Sequence, residues 1–153
     1  MNTKQEKLEA FAELIGFTES LESLTESQWT GPIAEGKWSP RDIISHIMLW
    51  DRYFLEHAVL PMAEHRPLTL KDLDFNAFNR DASAYGLTQS RQDLIQQAVE
   101  ARSRLLEVMQ DIPESEFGYK HGDIMSVDEY LIDFYEHDRH HMGQIDTYRA
   151  ALA

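Results

Sequence analysis

Four stretches of this sequence repeat their apolar residues at intervals of three and four, and almost nothing alternates as a strand would, so the chain is constrained to helices that each bury one stripe. The first stretch, over about residues 4–24, carries Leu8, Phe11, Ala12, Ile15 and Leu21 with Glu and Lys between them; Gly16 weakens it without ending it. The second announces its start. Ser39 can cap, Pro40 sits at the first helical position where its missing N–H is harmless, and Asp42 is placed to complete a capping box. Trp38 and Ile43 add the spacing of a hydrophobic staple, and the helix is predicted to run to about Val59, ahead of Pro61. A third helix covers Ser90 to Asp111, with Leu94, Ile95, Ala98, Leu105, Val108 and Met109 on one side and Pro113 after its end. The fourth opens on the capping box Ser126/Glu129, with Met125 and Tyr130 as its staple, and runs close to the C-terminus.

Between Pro61 and Leu87 the periodicity gives way to prolines, glycine and scattered charges around FNAFNRD. A connection this long inside a small bundle is more often a crossover or lid than idle chain, and a short helix is predicted within it at Asp72 to Arg80. With 153 residues there is material for one domain and one core. Four amphipathic helices hide their stripes most simply by packing together, so the fold class is all-α, a four-helix bundle whose long crossover permits an order other than up-down-up-down.

Charge removes several functions. Against 14 Lys and Arg stand 27 Asp and Glu, a net −13, and such a surface repels phosphate backbones and anionic lipid; the partner is expected to be a small molecule, with no nucleic acid and no membrane. No cysteine is present, which excludes disulfides, thiolate ligands and a cysteine nucleophile together. The opening MNTKQEKLEA mixes charges where a signal peptide needs an apolar stretch, and no run approaches the roughly 18 apolar residues of a membrane span. A soluble, cytoplasmic protein is expected.

The seven histidines are unevenly placed: three crowd into EHDRHHMGQID on the fourth helix, and His46 sits midway along the second. On a helix, His137 and His141 differ by about 40° in azimuth and one turn in height, so they point the same way. They share a stripe with Tyr130, Gln144 and Tyr148, while the opposite side carries Glu136, Arg139, Asp146 and Arg149. Two imidazoles therefore enter the bundle together. Burial of such a pair needs something to use the lone pairs, and a divalent metal does so. The Glu of an HExxH motif is absent, since Asp138 and Arg139 follow His137. His46, flanked by Ile43, Ile47 and Trp50, is the best third ligand, with Asp42 one turn earlier as an acceptor to orient its ring. Against this stand blander readings: a solvated polar patch for His137 and His141, and an ordinary core or rim residue for His46. His140 falls at the rim, and His57, His65 and His121 at the surface. Trp50, Tyr53, Tyr130, Phe134 and Tyr148 are core residues by default. Gln144 suits either a metal-bound water or a helix cap.

In GKWSPRDIISHIMLWD, DFNAFNRD and YEHDRHHMGQID, taken in this order and spacing, the chain resembles the DinB-like, or YfiT-like, superfamily of four-helix metal-binding proteins. The resemblance extends over nearly the whole chain. It implies metal ligands at His46, His137 and His141, an up-down-down-up bundle, and often a homodimer. Members of that superfamily include bacillithiol S-transferases and thiol-dependent isomerases. By that likeness the expected activity is a metal-dependent S-transferase, or a related enzyme activating thiol or water, with a low-molecular-weight thiol as cosubstrate. The metal is zinc or nickel foremost, with iron and manganese open. Tyr130 and Gln144 are the candidate catalytic groups; Asn79 and Trp50 are the candidate cofactor contacts. The alternatives are a metal or small-ligand binding protein without turnover, and a bundle serving only protein association. A di-iron carboxylate site lacks its paired Glu-x-x-His motifs. A serine triad fails because Ser45 and His46 are sequence neighbours that point about 100° apart.

Overall fold

The structure, a computed structural model, describes residues 3–152. It consists of α1 (Lys4–Ser20), α2 (Glu26–Thr30), α3 (Pro40–Phe54), α4 (Leu60–Ala63), α5 (Phe75–Leu87), α6 (Arg91–Gln110) and α7 (Val127–Ala151). An isolated antiparallel bridge between His121 and Met125 closes the turn before α7. Both expected capping boxes form: the Ser39 and Ser126 hydroxyls accept the N–H of Asp42 and Glu129, whose carboxylates accept the cap N–H in return. A third, Thr25 with Gln28, starts the unanticipated α2 after α1 tightens into a 3-10 turn at Leu21–Ser23. No helix is long and apolar enough to cross a membrane among the described residues.

Contacts near the helix ends fix the direction of each long helix. Lys4 donates to the carbonyls of Gln110 and Ile112 while Arg91 donates to those of Leu21 and Leu24, so α1 and α6 are antiparallel. Lys7 pairs with Asp128 and Arg139 with Glu13, so α1 and α7 are parallel. Phe54 packs on Tyr130 and Phe134 while His46 meets His137 and His141, which runs α3 against α7. The order along the chain is up, down, down, up.

Two same-direction neighbours need a long return, and it differs from expectation in two places. Helix α3 does not end at Val59: a π turn at Leu55–Val59 carries it through Pro61 into α4 and on to Ala63. Proline has no N–H for the carbonyl of His57, and the N–H of Thr69 takes that carbonyl instead, at 3.0 Å. His57 itself, expected at the surface, is buried with Nδ1 2.8 Å from the Thr69 hydroxyl. The proline thus leaves open the acceptor on which the crossover docks. The crossover helix α5 starts later and runs longer than the predicted Asp72 to Arg80. Asp74 caps it, accepting from Ala77 N–H, and it lies on α3 through small residues: Ser45 donates to the carbonyl of Ala82 at 2.6 Å, and a Cβ on Gly86 would come within 3.2 Å of the Ser45 Cβ. Close approach through Ala82 and Gly86 leaves no apolar stripe for periodicity to detect.

A polar layer divides the core. One apolar cluster gathers Leu8, Phe11, Val59, Leu105, Met109 and Tyr130; the other gathers Leu14, Trp29, Ile43, Met48, Leu94 and Ile145. Between them lies Arg102, 1% exposed, which bonds Asp51 of α3 through Nε and Nη2, Asp138 of α7 through Nη1 and Nη2, and the carbonyl of Phe11 in α1. Its guanidinium also lies 3.8 Å from the Phe11 ring centre. Burial works against the guanidinium charge, and the two carboxylates outweigh it and hold Arg102 protonated. Removing one partner of such a set strands buried charge, at about 3–5 kcal/mol. Urea denaturation of Arg102→Met is expected to show a loss of that order, most of it regained when Asp51→Leu and Asp138→Leu are added. A loss under about 1 kcal/mol for Arg102→Met alone would show that the layer is not a buried ion-pair set.

Candidate metal centre

Two helices present the three imidazoles. The α3 stripe turns His46 inward, 4% exposed, and α7 places His137 and His141 one turn apart. Nε2 of His137 lies 3.2 Å from Nε2 of His46 and 3.2 Å from Nε2 of His141, and the three ligand atoms fall within 4.8 Å of one another. The structure therefore brings together the trio singled out in the sequence.

The ring orientations follow from neighbouring acceptors. Asn79 of α5 turns one side-chain atom toward both the indole N–H of Trp50 and Nδ1 of His46, each at 2.9 Å. Indole only donates, so that atom is the amide oxygen and His46 carries its proton on Nδ1. On α7, His141 Nδ1 lies 2.9 Å from the Gln144 amide oxygen. With both Nδ1 atoms protonated, His46 and His141 turn bare Nε2 lone pairs on His137. That ring has at most one Nε2 proton for the two contacts, so at most one of them is a well-directed hydrogen bond and the other bare Nε2 is left without a donor of its own, while the buried Nδ1 of His137 has no partner among the described residues. A cation resolves this conflict. Nitrogens on adjacent corners of a tetrahedral or octahedral site with bonds of about 2.0–2.2 Å lie about 2.8 to 3.6 Å apart, and the two 3.2 Å spacings from His137 fall in that range. The donor set fits a divalent metal.

Electrostatics keeps the rings neutral. Burial first, then the neighbouring His141 and His137, bring His46 down to about 3 against the opposing bond to Asn79. Burial first, then His137, brings His141 down to about 4, and burial with His140 and Arg102 lowers His137.

Other expected site residues fall elsewhere. Asp42 does not orient His46; its two oxygens are taken by the Ser39 N–H and the Ser83 hydroxyl, and Asn79 fills that role. Tyr130, expected at substrate, is 1% exposed inside the core among Phe11, Phe54 and Phe134, with its hydroxyl near the Arg102 layer. We therefore place it outside the site. Asn79 is engaged with both Trp50 and His46, and Phe78 stacks on Trp50 at 3.9 Å. Trp38, read only as a staple, lies 4.9 Å from the His46 ring. His140 stays exposed at the rim, and Ser45 bonds a backbone carbonyl, away from any triad. Asp51, Arg102 and Asp138 escaped notice because charge inside an apolar stripe, as at Ala98, Arg102 and Leu105, signals only when its partners are known.

The model of one family, described as the DinB superfamily, matches residues 16–145. The chain belongs to the DinB superfamily. As a DinB protein it also shares its fold with YfiT from Bacillus subtilis, described as "a probable metal-dependent hydrolase with an unusual four-helix bundle topology". That match has a TM-score of 0.74 and 16% sequence identity, and covers 97% of this chain and 87% of that one. No curated protein matches the sequence. The DinB fold thus stands with a histidine trio able to hold a metal.

Because the folded rings resist protonation, the unfolded metal-free chain takes up protons below its ordinary histidine pKa of 6.5 that the folded chain refuses. Stability from these groups therefore falls as pH drops from 6.5 toward the lowered values of about 4 and 3. Asp51, raised by burial to about 6 against the pull of Arg102, opposes this at pH between 3.8 and 6, so ring titration is the cleaner readout. Long-range proton–nitrogen NMR spectra of metal-free protein at about pH 5.5 are expected to show His46 and His141 neutral with protons on Nδ1. Charged rings at positions 46 and 141 under that condition would contradict the burial argument.

Proposed function

We propose that this protein is a divalent-metal-dependent enzyme that activates a small nucleophile, and that its reaction is transfer of a low-molecular-weight thiol to an electrophile. The observation that carries the reading is the convergence of three neutral Nε2 atoms with no carboxylate among them, a set that would leave a bound cation its full charge and an open position. When bound, such a cation lowers the pKa of a coordinated thiol or water toward neutrality. Imidazole donors suit zinc and nickel, and also iron and copper, better than the manganese that oxygen donors favour. The residues His46, His137 and His141 would hold it, Asn79 and Gln144 fix the rings of His46 and His141, and the Trp38 and Phe134 rings lie against those of His46 and His137. The chain has no cysteine, so any thiol nucleophile comes from a cosubstrate. A second reading, activation of water for hydrolysis, is favoured by the description given to the YfiT structure.

Metal analysis of purified protein is expected to find about one divalent ion per chain, lost in His137→Ala/His141→Ala; equal content in both would dispose of the site. Asn79→Ala, which leaves the His46 ring unfixed, is expected to weaken metal affinity about 10- to 100-fold. With metal loaded, consumption of a chlorobimane electrophile should depend on added bacillithiol, glutathione or coenzyme A. Turnover of activated esters without thiol would favour hydrolysis, and no turnover of either kind would favour a binding protein.

A further inference from the structure

The walls of one place in this protein hold no acidic side chain, although Glu35 lies in the turn that borders it. Between the loop preceding α3 and the C-terminal half of α7 lie two adjoining cavities of about 170 and 530 Å³, which share Ile33, Lys37 and Gln144. The smaller reaches His141 and the larger reaches His140 at the rim. Although 27 of 153 residues are Asp or Glu, none of the described residues lining either cavity is one. Their charge is Lys37, which takes part in none of the ion pairs formed among the described residues. The lysine is held on an ordered turn. Ile33 N–H bonds the Trp38 carbonyl at 2.9 Å, Lys37 N–H bonds that of Ala34 at 3.0 Å, and Gly36 at φ 73° supplies the left-handed step that a side chain would resist. Apolar surface lies beside the charge, from Ile33, Trp38 and Tyr148.

A cavity wall without carboxylates, carrying an unpaired ammonium beside a histidine cluster able to hold a dication, selects by sign of charge. We propose that this mouth binds the anionic group of the substrate: the ligand is a small organic carboxylate with an apolar body, its charge met by Lys37 and its body lying on Ile33, Trp38 and Tyr148. This inference rests on reading the histidine trio as a metal centre, and it adds the substrate class. A −13 surface otherwise repels such a molecule, so the local reversal of sign also marks where an anion can approach.

The test compares thiols of one size and three charges, 3-mercaptopropionate, 2-mercaptoethanol and cysteamine, titrated into cobalt-loaded protein and followed by the metal's visible absorption. The anion is expected to bind most tightly and the cation least. In Lys37→Glu the affinity for 3-mercaptopropionate should fall about tenfold, and in Lys37→Met about threefold, consistent with a partly exposed ion pair. Affinity for 2-mercaptoethanol and for cobalt should stay within about twofold of the parent, and the preference should shrink at high salt. Equal affinities for the three thiols, or an unchanged preference in Lys37→Glu, would overturn the inference while leaving the metal centre intact. Failure to take up cobalt would instead overturn the metal reading. In that event 3-phenylpropionate and 3-phenylpropanol, titrated into metal-free protein and its Lys37→Glu variant, decide the mouth alone. Shifts of the Trp38 indole and Gly36 amide resonances with the carboxylate only, lost in the variant, support it; shifts that are absent, or alike for both probes, overturn it.

Discussion

One guanidinium sets the relative register of the four long helices. Arg102 reaches from α6 to a carboxylate on α3, a carboxylate on α7 and a backbone carbonyl on α1, all inside the core. Sliding any of these helices by a turn would carry its partner about 5.4 Å from the charge it satisfies, and a buried charge without its partner is far more expensive than a misfit of methyl groups. The apolar stripes alone tolerate such slips, because Leu, Ile and Val pack nearly as well one turn along. Asp51 and Asp138 on a common guanidinium fix α3 against α7. From that point the site follows by helical arithmetic. His46 lies five residues back from Asp51, about 7.5 Å along α3, and His141 lies three residues on from Asp138, about 4.5 Å along α7. The two helices are antiparallel, so both displacements lead toward the same end of the bundle and the rings meet.

The crossover completes the site and is more than a connection. The order up, down, down, up obliges the chain to travel the length of the bundle between α3 and α6, and α5 is laid on α3 during that return. Its small residues Ala82 and Gly86 bring the backbones close, and this depth lets Asn79 reach both Trp50 and His46. Topology and chemistry are joined here: an up-down-up-down bundle with short loops would have had no fifth helix from which to fix that ring.

Much of this was legible in the sequence because it is local. Capping boxes at Ser39 and Ser126, the spacing of His137 and His141, and the central position of His46 on its stripe are all decided within a few residues. What escaped depends on pairing across the fold. Asp42 sits one turn from His46, so proximity along the chain favoured it as the acceptor; its oxygens were already committed to the cap and to Ser83, and a residue 33 positions away took the role. Tyr130 shares a stripe with His137 and His141, yet two turns separate it from His137, far enough to pass from the candidate site into the apolar core. Pro61 read as a stop, which holds only where no other donor can use the carbonyl it leaves open. Thr69 supplies one.

The same turn of α7 sorts its charges by direction. Asp138 stands between His137 and His141 in sequence but about 100° from His137 around the helix, which aims it at Arg102. Were that carboxylate turned into the histidine cluster, it would offset half the charge of a bound dication and blunt its pull on a thiol or water proton. Arg102 thus does two things at once: it stabilises two carboxylates in the core, and it keeps the nearer of them occupied and away from the imidazoles. Burial pushes the Asp138 carboxyl up from its ordinary range, and the Arg102 guanidinium facing it works the other way and favours the anion. The absence of a carboxylate from the three-ring set is therefore a property of the whole bundle, held in place by a residue that makes no hydrogen bond to those rings.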